Sequence, residues 1–273
     1  MRSVVESKRG RRVSVDIEDL KKVVVEAGEL ARLYYGKVTK SLKADLSIVT
    51  EADTAIEEFL KLALAGLAPE YGFIGEETEQ SRAPAPGEDH AWIVDSLDGS
   101  RAFAARMPLW TPAVCLMKGD RPVAGAAVNP LTNELFWVDR DGPAFCNDEP
   151  MRPRLGSQLQ PNTFIAGPTN HHRMFRIDFP GRIYCLGAPI YQLCLVAKGS
   201  VEAYFFDPSI NLWDLALPSL LLQRCGGVLV YASGRPVDLS ELMDRRTVPE
   251  PVFAGGAAMV EILRQRVTYC GAN

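Results

Sequence analysis

Apolar residues at Ile17, Leu20, Val24, Ala27, Ala31 and Tyr34 recur every three or four positions and draw one stripe down a helix. Asp16 stands just ahead of the stripe as an N-cap, so the pattern predicts a helix over 17–34. A second stripe, Ile56, Phe59, Leu60, Ala63 and Leu67, predicts a helix over about 51–67, opened by Thr50 and Asp53 in a capping box. Between the two, "KVTKSLKADLSIVT" keeps no period and reads as a loop or hairpin. "YGFIGEE" and "AWIVD" are short apolar runs of strand length, separated by the turn-rich "RAPAPGEDH". Strands at about 112–117, 123–128 and 135–139 follow across "KGDR" and "NPLTNE", which predicts an antiparallel meander.

After residues 139–153 the pattern changes. Strands at "TFIAG", "RIYCLG", "VEAYFF", "GVLVYA" and "PVFAG" are interleaved with helices at "PIYQLCLVAKG", from about Asp214 to Cys225, and from Ala257 onward. Strands alternating with helices predict an α/β second half behind an α+β first half, joined between 140 and 155.

The 273 residues carry a formal net charge of -4 and are 47% hydrophobic, ordinary values for a globular chain with no general attraction to nucleic acid or anionic lipid. One basic cluster, Lys8, Arg9, Arg11 and Arg12, reads as a solvated arm, with a phosphate or partner contact as the other possibility. No apolar run is long enough to span a membrane and no signal-peptide core opens the chain, so a cytoplasmic protein is expected. The six cysteines are scattered without a CxxC pair, and most sit in apolar company as reduced thiols. Zinc is therefore not expected. The three histidines, His90, His171 and His172, read as loop residues.

The chemistry concentrates in "WIVDSLDGSRAF". Asp95 and Asp98 leave a strand three residues apart, and two carboxylates aimed at one spot repel unless one is protonated or a cation stands between them. An all-oxygen set, with the Leu97 carbonyl between the acids, selects Mg²⁺ or Mn²⁺ over zinc. Gly99 permits a sharp turn, and the amides of Gly99 and Ser100 form a nest for phosphate if a helix starts there. Taken alone, the same residues also fit a plain helix cap. Glu76 and Glu77 end the "FIGEE" strand, Asp214 stands at a helix start, and Asp53 belongs to a capping box. The shared placement of these acids at strand ends and helix starts is what suggests one site. No P-loop, GxGxxG or GxSxG pattern competes with them.

With these pieces assembled, the chain resembles the inositol monophosphatase superfamily of Mg²⁺-dependent, lithium-sensitive phosphatases over about residues 16–268. The resemblance rests on "KADLSIVTEAD", "FIGEE", "WIVDSLDGSRAF" and "LWDLALPSLLLQRCGG", in that order. It implies a layered αβαβα sandwich of the inositol monophosphatase / fructose-1,6-bisphosphatase type, with residues 1–145 carrying the metal site and 146–273 completing the substrate pocket. It implies a metal-ligand set of Glu76, Asp95, the Leu97 carbonyl, Asp98 and Asp214, holding two or three Mg²⁺ ions. Asp53 and Ser100, with Glu76, would support the attacking water. Gly99 and Ser100 would hold phosphate, and Lys43, Gly187, Ala188 and Asp207 would meet the substrate. A homodimer is also implied. Two positions depart from the family's pattern: Ser96 replaces the usual proline, and Ser100 the usual threonine. Neither removes a ligand.

A small polyol or cyclitol phosphate monoester, such as inositol monophosphate, is the expected substrate. Histidinol phosphate is the next candidate, because "GSRAF…PLW" and "DPSINLWD" resemble that branch. A 3′,5′-bisphosphate nucleotide and fructose 1,6-bisphosphate follow. A metal-dead binding or regulatory relative would have lost a ligand acid, and none is lost.

Overall fold

The computed structural model describes residues 15–42, 48–78, 81–244 and 247–271. Helix α1 (Ile17–Tyr34) starts where Asp16 accepts the amide of Glu18, and α2 (Glu51–Leu67) starts at the Thr50–Asp53 capping box. The segment between them pairs β1 (Lys40–Leu42) with β2 (Ile48–Thr50) as an antiparallel hairpin, so the hairpin reading holds for its described residues.

Seven strands then form one sheet in chain order: β3 (Gly72–Gly75), β4 (His90–Asp98), β5 (Thr111–Lys118), β6 (Arg121–Asn129), β7 (Glu134–Val138), β8 (Ala144–Cys146) and β9 (Glu149–Pro150). The five-residue helix α3 (Ser100–Ala104) leaves the end of β4. β3 and β4 are parallel, and every later pair is antiparallel, as a meander requires. Strands β8 and β9 extend the sheet through a stretch too short and too rich in turn residues to read as strand from sequence.

Alternation along these strands sorts side chains to two faces. Phe73, Trp92, Val94, Val114 and Leu116 pack beneath α1 and α2. Ile74, Ile93, Ala113 and Cys115 face the opposite way, into a second core. That core is closed by α5 (Pro189–Lys198) and α6 (Leu212–Arg224), which sit between the first sheet and a second one.

The second sheet contains β10 (Phe164–Ala166), β12 (Arg182–Tyr184), β13 (Ala203–Phe206), β14 (Val228–Tyr231) and β15 (Val252–Gly255), in the order β12-β10-β13-β15-β14. It is mixed rather than parallel. β15 inserts between β13 and β14 and runs antiparallel to both, while β13 and β14 share a direction, as the α6 crossover demands. The last layer is α7 (Ala257–Arg266), packed on the outer face through Met259, Val260 and Leu263. The short helix α4 (His171–Met174) lies where a loop was expected, and β11 (Phe175–Ile177) pairs with β16 (Val267–Tyr269) beside it. The result is the αβαβα sandwich that the resemblance implies. Trp92 and Trp110 are fully buried, and all six cysteines are free thiols.

Leu217 on α6 is 1% exposed within the middle layer. Leu217→Ala should destabilise the protein by about 2–5 kcal/mol, read as a lower midpoint with an unchanged slope in urea unfolding.

Candidate metal centre

The same alternation aims the acids. Glu76 is two residues past Ile74 and Asp95 two past Ile93, so both continue the face that looks toward α5 and α6. By parity alone, Asp98 would point the other way. The ladder between β4 and β5 shifts register between Asp95 and Asp98, and this bulge turns Asp98 onto the face of its neighbour. Gly99 follows with φ 87 and ψ 32, a left-handed conformation, and a Cβ there would stand 2.6 Å from the Leu109 carbonyl oxygen. Asp214 comes from the middle layer, at the third position of α6, where its Oδ2 accepts the Asn211 amide at 2.9 Å.

Asp95, Asp98 and Asp214 each offer a carboxylate oxygen within 4.8 Å of the others. Asp95 and Asp98 are 2% exposed. One oxygen of Asp98 accepts the Tyr191 amide in the first turn of α5 at 2.8 Å, while its Oδ1 is buried with no partner among the described residues. Asp95 accepts the Leu97 amide at 3.0 Å. Burial, then the charges of Glu76, Asp98 and Asp214, push the Asp95 carboxyl well above the usual range. Burial does the same to Asp98, with Asp214 and Glu76 adding to it and the amides of Tyr191 and Ile190 opposing. Asp214 is raised to about 7 by burial and by Glu76. A hard divalent cation would relieve this repulsion and satisfy the orphaned oxygen, so the residues present fit such an ion.

A second group of ligand-type side chains, Glu88, Asp89 and His90, has a different character. Glu88 Oε1 already accepts from the Asp89 and His90 amides and meets His90 Nδ1, and the imidazole stacks on Tyr71 with centroids 4.8 Å apart. Those groups satisfy each other.

The carboxylates open into a cavity of about 160 Å³, lined by Glu76, Asp95, Leu97, Asp98, Gly99, Ser100, Gly187 and Asp214. Ser100 Oγ lies 2.6 Å from Asp53 Oδ1 and 3.1 Å from the Leu97 carbonyl. Asp53, 1% exposed, stands behind Ser100 and also accepts the Thr50 amide and hydroxyl at 2.7 and 2.6 Å. Ala188 and Asp207 do not line the cavity. Ala188 is the fully buried N-cap residue of α5, and Asp207 follows β13 and accepts the Ser209 amide at 2.9 Å. Lys43, like Lys8, Arg9, Arg11 and Arg12, lies outside the described residues. Ser96 is buried with its hydroxyl unpartnered among the described residues, a local cost where the resembled pattern has proline. The cavity is also lined by Ile48, Arg101 and Pro189, which the sequence reading did not include. Arg101 directly follows Ser100, and that adjacency was the available signal.

A sequence model of the inositol monophosphatase family matches residues 14–265. This chain belongs to the inositol monophosphatase family. It is 33% identical over 211 residues to an inositol-1-monophosphatase of Caulobacter vibrioides, covering 71% of this chain and 80% of that one. It is 30% identical over 225 residues to an inositol-1-monophosphatase of Mesorhizobium japonicum, covering 77% and 83%. The fold matches the extragenic suppressor protein suhB of Bartonella henselae with a TM-score of 0.81 at 24% identity, over 92% of this chain and 98% of that one. Family membership makes the chain a phosphatase, a phosphoric monoester hydrolase. The family is generally metal-dependent, and the Asp95–Asp98–Asp214 cluster is the matching feature of this chain. No helix among the described residues is long and apolar enough to cross a membrane.

Without metal, the folded Asp214 carboxyl holds its proton up to about 7, whereas the unfolded one releases it in the ordinary carboxylate range. Stability of the metal-free protein should therefore fall as pH rises from about 4 to about 7. Thermal melts in EDTA across that window check it, and Asp214→Asn should make the fall shallower without abolishing it, because the raised Asp95 and Asp98 carboxyls remain.

Proposed function

We propose that this phosphatase hydrolyses a small polyol or cyclitol monophosphate, such as an inositol monophosphate, with Mg²⁺ as its metal and Mn²⁺ as a substitute. The observation that carries the reading is the knot of three carboxylates, in which the buried Oδ1 of Asp98 has no partner among the described residues. Glu76, Asp95, Asp98, Asp214 and the Leu97 carbonyl would hold two or three ions. Bound there, the metal would polarise the phosphate, activate a water and offset charge on the leaving alkoxide. Oxygen-only ligation supports Mg²⁺ over softer ions.

The protein's own groups do the positioning. The Ser100 hydroxyl has one proton, and the shorter contact directs it to Asp53. Its remaining lone pairs can only accept, so a water in the cavity must donate to Ser100 and present a lone pair elsewhere. Asp53 is itself pinned by Thr50, which keeps that direction constant. Glu76, on the same cavity wall, would take the proton the water gives up. The amides of Gly99 and Ser100 would take phosphate oxygens. Phosphoryl transfer needs this placement and charge neutralisation more than covalent help. Gly187, on the cavity wall, would meet the alcohol portion of the substrate. Ala188 and Asp207, outside that lining, and Lys43 are proposed for the same portion on the family resemblance alone. In this reading residues 1–145 supply every metal ligand except Asp214, and 146–273 close the pocket. The same reading carries lithium inhibition, a homodimer and a cytoplasmic location.

Phosphate release from inositol 1-phosphate, histidinol phosphate, fructose 1,6-bisphosphate and adenosine 3′,5′-bisphosphate, with Mg²⁺ and with EDTA, tests the proposal. Mg²⁺-dependent release with the highest kcat/KM on inositol 1-phosphate is expected. A higher kcat/KM on any of the others would overturn the substrate, and release undiminished by EDTA would overturn the metal. Ser100→Ala should lower kcat by about 10²-fold or more, while Ser100→Thr, which keeps the hydroxyl, should stay near wild type.

A further inference from the structure

We infer that Glu57 is a positioning residue that sets Glu76 in the metal centre, so that α2 aligns both flanks of the site through two buried carboxylates one turn apart. The inference rests on the proposed function, in which Glu76 is a metal ligand. Glu57 is 3% exposed and lies four residues after Asp53, on the same face of α2. Asp53 grips the turn after β4 through Ser100. Glu57 grips the turn after β3 in the same manner: the Glu77 amide donates to its Oε2 at 2.8 Å, and the Thr78 hydroxyl donates to its Oε1 at 2.5 Å.

The fit is tight on the third side. A Cβ on Gly75 would lie 2.6 to 2.7 Å from three atoms of the Glu57 carboxylate, so β3 ends flush against it. Glu76 is therefore held between two fixed points. Its own amide donates to the Val94 carbonyl at 3.1 Å, which ties it beside Asp95, and the next amide along is tied to Glu57. Both partners of Glu57 among the described residues are donors, and a carboxylate, which accepts at both oxygens, matches them without ambiguity. No ion pair identified among the described residues includes Glu57. Lys61 and Arg82 line the same pocket as Glu57. Among the described residues, the close polar contacts of Glu57 are the Glu77 and Thr78 donors, which offset the solvation lost on burial and fix the carboxylate beside Glu76. Groups that orient metal ligands through hydrogen bonds typically govern affinity by about 10–100-fold.

The test separates reach from charge. Glu57→Asp keeps the charge but draws the carboxyl back by one methylene, away from both donors. Glu57→Gln keeps the reach, accepting from Glu77 and donating to the Thr78 hydroxyl once that group turns. Mg²⁺ is titrated calorimetrically into metal-free wild type and variants, with thermal melts of the same samples to verify folding. Glu57→Asp should weaken Mg²⁺ binding by about 10–100-fold, and Glu57→Gln should stay within about 10-fold of wild type. Thr78→Val removes one of the two bonds without touching α2 and should give a smaller loss, which keeps the test open if Glu57→Asp does not fold. A larger loss in Glu57→Gln than in Glu57→Asp, or wild-type affinity in every folded variant, overturns the inference. A wild-type protein that binds no Mg²⁺ overturns the proposed function, and this inference with it.

Discussion

Three carboxylates from two strand positions and a helix converge on one small cavity, where burial and mutual repulsion oppose three negative charges. Asp95 and Asp98 are each 2% exposed, and Asp214 reaches them from a different sheet-to-helix crossover. Such a cluster is costly to form, because burial and mutual repulsion both act against the charged state. The fold has to hold the acids in place against that repulsion. Much of what is unusual in the architecture near the site follows from this one requirement.

The scaffold meets it with rigid elements on all sides. A register shift in β4 rotates Asp98 onto the face already occupied by Asp95, and the first turn of α5 donates an amide to its second oxygen. The positive end of that helix partly offsets the charge. Asp214 is locked by the capping box that starts α6. From the other face of the first sheet, α2 reaches through with Asp53 and Glu57, each accepting from a turn that carries site residues. Residues from both halves of the chain fill the single core around α5 and α6, so displacement of those helices would move Asp98 and Asp214 relative to each other.

How much of this was readable in advance depended on whether the deciding contact was local. α1 and α2 were legible, because a local cap marks the start of each and an apolar stripe runs its length. Asp95, Leu97, Asp98, Gly99 and Ser100 were legible as a group because one short stretch holds them. Asp214 was expected at the start of α6, yet the helix begins two residues earlier, since its role there is the third position of a cap. Strands β8 and β9 lie among turn residues, and β11 finds its partner β16 about 90 positions away, so no local pattern marks them. β15 reads as another strand in an alternating series, and only tertiary pairing shows that it runs antiparallel between β13 and β14. Glu57 reads as one more acid on an amphipathic helix. Its partners, Glu77 and Thr78, appear only when β3 packs against α2.

At the centre of the fold, Asp95, Asp98 and Asp214 would surround a divalent cation. Anomalous diffraction from crystals grown with Mn²⁺ tests it most directly, because the scattering locates the ion without reference to activity. A strong anomalous peak is expected within coordination distance of all three carboxylates, with the Leu97 carbonyl and Glu76 beside it. A peak only at Glu88 and His90, or none near the three aspartates at saturating Mn²⁺, would contradict it.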